Sequence, residues 1–344
     1  MKITTVGIDL AKNVFQVHGV DEAGKKVWNK QLKREQMAEF FTLLPPCLIG
    51  MEACASSHHW ARKLASFGHT VRLMAPQFVK PYVKTNKNDM ADAEAICEAV
   101  TRSNMRFVPV KNIEQQSVLA LHRVRQGFVK DRTALANRIR GLMAEFGMII
   151  PQGIRHIASR VPELIEDAAN ELTGQFRMLV DRLLEHMKEL DRQIKEMELL
   201  IKAWHRHNEA SLKLEAIPGV GPITASAMVA SVGDAKTFEN VRQLAAWLGL
   251  VPRQHSSGGK QNLLGISKRG DSYLRTLLIH GARAVIWKRQ KSADKTTWLD
   301  QLLARKKTNI AAVAFANKNA RIIWALLTTD REFRADYVPA RAAA

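Results

Sequence analysis

Three apolar runs of strand length stand in a row at residues 3–9, 13–20 and 26–32, and only afterwards do helical and strand patterns alternate. This order constrains the fold more than any other feature of the chain. Strands joined by short turns, here Ala11-Lys12 and Asp21-Glu22-Ala23-Gly24, pair with their sequence neighbours. A helix is predicted at 34–44, with Met37, Phe40, Phe41 and Leu44 on one face and Pro45-Pro46 as its stop. A fourth strand at 47–52, a helix at 57–67 and a fifth strand at 69–74 follow. Residues 76–88 are polar and basic and predict a loop, after which a helix runs from about 89 to 102. The order β-β-β-α-β-α-β-α predicts a mixed α/β sheet domain over residues 1–110.

Four acidic residues fall at the ends of these elements. Asp9 ends the first strand, Glu52 ends the fourth, and Asp89 and Asp92 share one face at the start of the last helix. Clustered carboxylates repel unless protons or a cation compensate. An all-oxygen set suits Mg²⁺, with Mn²⁺ as a substitute, and such ions activate the attacking oxygen and stabilise the leaving one in phosphoryl transfer. Taken singly, the residues have structural readings too: Asp89 as a helix N-cap with Asp92 favoured by the dipole, Asp9 as a polar strand end. Lys80, Lys84 and Lys87 precede the pair and are placed to bring a phosphate backbone to it.

The middle of the chain reads as two long helices. From 112 to 147, Val118, Leu121, Val124, Phe128, Leu135, Ile139 and Leu142 recur near a 3.6 period, and Arg123, Arg125, Lys130, Arg132, Arg138 and Arg140 occupy another face. That face is either simply solvated or tracks a nucleic-acid backbone. Residues 149–163, with Pro151, Gly153 and Pro162, predict a break. From Leu172 to Ile201 apolar positions step by four and three through Phe176, Leu179, Leu183, Met187, Leu190, Ile194 and Met197, a heptad signal. With the basic helix it makes up a middle region over 111–210, the coiled coil forming a hairpin with the 112–147 helix, a dimerisation stalk, or both. Residues 211–344 form a mostly helical third domain, with strand character only around 247–266.

Charge singles out that third domain. The 344 residues carry a net charge of +19, and residues 211–344 alone hold 21 basic and 9 acidic side chains, a net of +12. Such an excess predicts a polyanionic partner, most often nucleic acid. Neither end shows a basic amphipathic helix or lipidation motif, no signal peptide opens the chain, and no apolar run approaches the span of a bilayer; no membrane partner is expected. Cys47, Cys54 and Cys97 form no C-x-x-C pair, which predicts a reduced, cytoplasmic protein.

Two motifs lie in the basic domain. Ile217-Pro218-Gly219-Val220-Gly221 precedes an Ala-rich stretch. Gly219 and Gly221 between two helices predict a helix-hairpin-helix that grips phosphate through backbone N–H groups, or else a tight turn whose glycines allow close packing. The second is His255-Ser256-Ser257-Gly258-Gly259-Lys260, with Arg253 before it and Ser267-Lys268-Arg269-Gly270 after it. A serine beside glycines in a basic loop, with Lys260, Lys268 and Arg269 at hand, can approach a phosphodiester closely; a flexible Ser/Gly loop is the plainer reading.

Together these features resemble the RuvC-like DEDD transposases of bacterial insertion sequences, the IS-one-ten and IS-eleven-eleven family. The resemblance covers nearly the whole chain. It rests on Val6-Gly7-Ile8-Asp9, Met51-Glu52-Ala53, Lys87-Asn88-Asp89-Met90-Ala91-Asp92-Ala93, Ile217 to Gly221, and Pro252-Arg253-Gln254-His255-Ser256-Ser257-Gly258. It implies an RNase H-like (RuvC-like) catalytic domain holding Mg²⁺ through Asp9, Glu52, Asp89 and Asp92. It further implies a C-terminal transposase domain whose Ser257, with Ser256 as the nearby competitor, forms a covalent phosphoserine link to DNA. The partners implied are donor and target double-stranded DNA, a structured noncoding guide (bridge) RNA, and further copies of the chain as a tetramer, a dimer of dimers. Two other readings stay open: a resolvase-like nuclease in which water attacks, and an architectural nucleic-acid-binding protein.

Overall fold

The computed structural model describes residues 2–84, 88–291 and 297–335. The chain divides into two compact units, Met1–Glu114 and Gln115–Ala344.

The first unit is built on β1 (Thr5–Asp9), β2 (Val14–Val20), β3 (Lys26–Lys33), α1 (Gln36–Leu43), β4 (Leu48–Glu52), α2 (Ser57–Ser66), β5 (Thr70–Met74), α3 (Pro76–Val79), α4 (Asp89–Val100) and β6 (Phe107–Val108). The six strands lie in the order β3-β2-β1-β4-β5-β6. β1, β2 and β3 pair antiparallel, β4 runs parallel to β1 and to β5, and β6 closes the edge antiparallel to β5. Alternation along each strand serves two faces. Val6, Ile8, Phe15, Val17, Ile49, Met51 and Leu73 are buried with Met37 and Phe41 of α1 and Trp60 and Leu64 of α2. The opposite face is covered by α4, whose Ala95, Ile96, Ala99 and Val100 form a second core with Met74 and Val79. This is the mixed sheet that the pattern predicts. The expected loop at 76–88 instead contains α3 and a 3₁₀ turn, Lys80–Tyr82, because Val79 is drawn into the α4 core. The two-residue β6 is too short to leave a pattern in the sequence.

The second unit contains most of α5 (Ile113–Glu145), then α6 (Ile154–Glu166), α7 (Gly174–Arg206), α8 (Glu209–Glu215), α9 (Pro222–Val232), α10 (Val241–Trp247), a hairpin of β7 (Pro252–Gln254) and β8 (Leu263–Ile266), α11 (Ser272–Gln290), α12 (Trp298–Arg305) and α13 (Thr308–Thr328). It has two hydrophobic cores. In one, Leu135, Ile139 and Met143 of α5 pack with Ile157 and Val161 of α6 and with Val180, Leu184, Met187 and Leu190 of α7. The expected break at 149–163 is therefore half wrong. Burial of Ile157 and Val161 holds α6 together through Pro162, which forfeits one backbone hydrogen bond. Arg125 pairs with Glu198 and Arg132 with Asp191, so partners descend α7 as they ascend α5. This is the in-chain antiparallel hairpin. Along the first turns of α7 the buried stripe is Val180 and Leu184, one residue later than the spacing suggests, and Leu179 is exposed.

The other core joins α8 to α13 through residues such as Leu214, Met228, Leu244, Leu278, Ala312 and Ile323. α13 is long and apolar enough to cross a membrane by length and composition, a run that the sequence reading passed over. Here Ala311, Ala312, Ala316, Ala320 and Ile323 pack it into this core beside α11. His122 of α5 is buried among α9 and α11: Nδ1 lies 3.0 Å from the Tyr273 hydroxyl and Nε2 3.1 Å from Ser226 Oγ.

Candidate active site

Two glycines place the first pair of acids. A Cβ on Gly7 would lie 2.2 Å from the Ala93 carbonyl and 2.5 Å from Cys97 N, and one on Gly50 would lie 2.7 Å from Val100 Cβ. Only hydrogen at these positions lets α4 lie this close to β1 and β4. Asp9 and Glu52 each stand two residues further along the same strand, so both leave the sheet on the α4 side. The register pairs Ile8 with Met51, which sets Asp9 and Glu52 side by side at the carboxyl ends of adjacent parallel strands. In α/β sheets that end is where chemistry collects. Both carboxylates act on one neighbour. Burial first, then the charges of Glu52 and Asp9, push the Cys54 thiol above its ordinary range.

The second pair sits on the first turn of α4. Asn88 is the N-cap, its side chain accepting a hydrogen bond of 2.8 Å from Ala91 N. The capping reading of Asp89 therefore fails, and both Asp89 (exposed) and Asp92 (half-buried) are left for other work near the positive end of the helix dipole. Among the described residues, no three side chains of the His, Cys, Asp and Glu type come close enough to share one ion. The four acids thus stand as two pairs, one on the strand ends and one on the covering helix, not as a closed cage.

The donor chemistry at the strand ends fits a hard divalent cation: two carboxylates, and the side-chain oxygen of Gln16. Gln16 is directly opposite Asp9 in the β1–β2 register, is 5% exposed, and has Oε1 buried with no hydrogen-bond partner. Sequence reasoning missed it. The signal was the alternation in β2, where polar Gln16 and His18 follow apolar Phe15 and Val17 in turn.

The basic residues sort unevenly. Lys84 ion-pairs with Glu98 at 3.1 Å and Glu94 at 3.9 Å, and with Arg102 it holds Glu98 below the usual carboxylate range. Lys87 lies outside the described residues. On α5, Arg123 and Arg138 are exposed. Arg125 and Arg132 are not part of a free basic face. Their guanidinium groups are matched by Glu198 and Asp191 on α7, because those positions face the helix partner.

In the second unit, Ser257-Gly258-Gly259-Lys260 makes the turn at the tip of the β7–β8 hairpin. Gly258 (φ +55°) and Gly259 (φ +77°) supply the left-handed conformations of a two-residue turn, closed by Lys260 N donating to Ser257 O at 3.0 Å. Ser256 Oγ is turned inward and accepts from Asn262 N at 3.3 Å. The Ser257 hydroxyl is exposed and, among the described residues, has no hydrogen-bond partner. Arg253, Lys260, Lys268 and Arg269 are exposed around this hairpin. Its root is tightly packed: a Cβ on Gly249 would lie 1.9 Å from the Arg269 carbonyl and one on Gly270 1.8 Å from that of Trp247, and Arg275 Nη1 donates to Leu248 O at 3.0 Å.

Residues 216–221 form the turn between α8 and α9. Gly219 (φ +85°) lies against Gly281 of α11, where a Cβ on Gly281 would come within 1.8 Å of the Gly219 carbonyl. Close packing thus accounts for Gly219, and Gly221 serves as the extended N-cap before Pro222.

With this geometry stand the likenesses to known proteins. Residues 6–148 match the DEDD domain of IS110-type transposases, described as "Transposase", and residues 211–297 match the "Transposase IS116/IS110/IS902 family". A "Probable family 20 transposase" of Pseudomonas aeruginosa is 53% identical over 97% of this chain and 99% of its own length. The "Transposase for insertion sequence element IS1111A" of Coxiella burnetii is 46% identical over 96% of this chain and 92% of its own. The "Transposase for insertion sequence element IS1328" of Yersinia enterocolitica is 41% identical over 96% and 98%. A sheet whose adjacent strand ends carry Asp9 and Glu52, a covering helix that carries Asp89 and Asp92, and near full-length likeness to these proteins lead to one conclusion: the chain belongs to the IS110/IS116 family of insertion-sequence transposases.

Proposed function

We propose that this transposase is an RNA-guided DNA recombinase in which Ser257 is the nucleophile and Asp9, Glu52, Asp89 and Asp92 serve the metal. The observation that carries the reading is the contrast within the hairpin tip: Ser256 is tied to the backbone and Ser257 is free. A hydroxyl on a closely packed, glycine-flanked turn in a basic surface is presented to a phosphodiester without steric hindrance.

The step balances. Ser257 Oγ attacks phosphorus as its proton departs to a base, one P–O bond to a deoxyribose oxygen breaks, and that oxygen takes up a proton. A phosphoserine link results. Attack by a deoxyribose hydroxyl from another strand end reverses the step, frees Ser257 and conserves every phosphodiester, so no nucleotide cofactor is consumed. A serine hydroxyl is a weak nucleophile and needs activation. Bound Mg²⁺ or Mn²⁺ would supply Lewis acidity there. The part of the acids is to hold that charge, and the part of Lys260, Lys268 and Arg269 is to hold the backbone in register. Exposed Arg123 and Arg138 add contacts that grip nucleic acid without reading bases. Choice of sequence then falls to base pairing between a structured RNA and donor and target DNA. Assembly as a dimer of dimers brings acids of one copy to the serine of another, in the cytoplasm where the DNA is.

The test is a denaturing gel of the purified protein incubated with Mg²⁺, element-end DNA and the co-expressed RNA. Wild type and Ser256→Ala are expected to give a protein–DNA adduct that maps to residue 257, and Ser257→Ala none. Continued cutting by Ser257→Ala would establish water as the nucleophile instead.

A further inference from the structure

Gln16 is a buried polar side chain whose carbonyl oxygen the fold leaves without a partner. It is 5% exposed, and it stands directly across the β1–β2 ladder from Asp9. Residues opposite one another in an antiparallel pair project to the same face with Cβ atoms about 5 Å apart. That face is the one on which α4 lies and towards which Asp9 and Glu52 project, as the contacts of Gly7 and Gly50 establish. Its amide orientation follows from a short relay: Asn29 Nδ2 meets His18 Nδ1 at 3.3 Å, and Asn29 Oδ1 accepts from Gln16 Nε2. The Gln16 nitrogen is thereby engaged on the β3 side, and Oε1 is left buried with no partner.

A buried acceptor without a donor is destabilising, because the water it gave up is not replaced. A leucine or methionine at this position would carry no such cost. An amide oxygen cannot take a hydrogen bond from the acceptor-only carboxylate of Asp9, but it can share a cation with it. Amide carbonyls are ordinary ligands of hard divalent ions alongside carboxylates.

Resting on the reading that Asp9 and Glu52 hold a divalent ion, we propose that Gln16 Oε1 is a further oxygen ligand of that ion, oriented for the task by the Asn29–His18 relay. Gln16 makes the strand-end pair a three-oxygen half-site. This gives β2 a role in the metal centre that the four acids alone do not assign.

The experiment is a Mn²⁺ titration of the purified full-length protein, read by the resonance signal of free Mn²⁺, alongside thermal unfolding with and without Mn²⁺. Gln16→Leu is expected to weaken Mn²⁺ binding roughly tenfold or more, in line with the loss of a supporting ligand. Its unfolding temperature without metal should stay near that of wild type, because the buried orphan acceptor is gone while the half-buried Asn29 Oδ1 loses its donor. Gln16→Glu is expected to do the opposite: a lower unfolding temperature without metal and a larger rise on adding Mn²⁺ than wild type shows. Wild-type Mn²⁺ affinity in Gln16→Leu, with Asp9→Asn losing it, would overturn this inference and leave the metal reading standing. Unchanged affinity in Asp9→Asn would overturn both. Should Gln16→Leu fail to fold, a Mn²⁺-induced rise in Gln16→Glu no larger than that of wild type overturns the proposal by itself.

Discussion

His122 is 1% exposed and is wedged between the Tyr273 hydroxyl and Ser226. Burial, and then the nearby Arg125 charge, bring its pKa down to about 4 from 6.5. The sign of the consequence follows directly. Between those values the unfolded chain takes up a proton on this histidine and the folded chain does not, so stability falls as pH is lowered through that window. Above about 6.5 the contribution is intact, and below about 4 nothing more is lost. The full effect is about 3 kcal/mol. Denaturant unfolding at pH 7 and at pH 4.5 should show wild type losing more stability than His122→Gln. Equal losses would mean that the imidazole is not held neutral. Residues of this kind are hard to see in a sequence. His122 lies in a helical stretch where half the positions are polar, and only the tertiary partners Tyr273 and Ser226, more than a hundred positions away, show that it is buried. Gln16 escapes notice for the same reason, since its partner across the ladder is set by register and not by spacing. The places of Asp9, Glu52, Asp89 and Asp92 were legible because the first two fall where a strand pattern ends and the others where a helix pattern begins. Whether Ser256 or Ser257 is free could not be read from the sequence, since the difference is one hydrogen bond to Asn262.

At the scale of elements, the placement of the acids depends on how closely α4 lies on β1 and β4. Gly7→Ala would drive a methyl into the Ala93 carbonyl, a backbone atom that cannot step aside. It is expected to destabilise the protein by about 3 kcal/mol, the upper part of the usual range for overpacking. Gly127, inside α5 with nothing within 4 Å of its would-be Cβ, offers the contrast. Gly127→Ala should stabilise by ~0.5–1 kcal/mol through helix propensity alone. Thermal or denaturant unfolding of both variants decides it, and a Gly7→Ala protein as stable as wild type would show that α4 sits further from the sheet than described. Elements themselves were largely readable from the chain. The strands β1 to β5 and the helices α1, α2, α4, α5 and α7 follow from periodicity and from Pro and Gly punctuation. α6 was not, because Pro162 and Gly153 signal a break while the burial that overrides them is long-range. The partition of arginines on α5 was also hidden: all lie on the polar side of the pattern, and only the position of α7 separates Arg125 and Arg132 from Arg123 and Arg138.

For the whole molecule, charge sets the behaviour. Residues 211–344 carry a net of +12, so affinity for duplex DNA should fall steeply as salt rises. Arg123→Ala and Arg138→Ala are each expected to flatten the dependence of log affinity on log salt by about 0.9. Arg125→Ala and Arg132→Ala should instead leave the slope in place and lower the unfolding temperature. Fluorescence anisotropy over a salt series separates the two classes, and a slope change in Arg125→Ala would return that residue to the contact surface.

The meeting of Gly219 and Gly281 has a bearing on how such a protein can change over time. Each is already the smallest residue available, so neither can shrink to accommodate growth in the other. Most contacts in a core drift by paired exchange, one side enlarging as its neighbour is trimmed. Here that route is closed in both directions, and selection from a randomised library should return glycine at the two positions jointly, however freely the surrounding α9 and α11 positions vary.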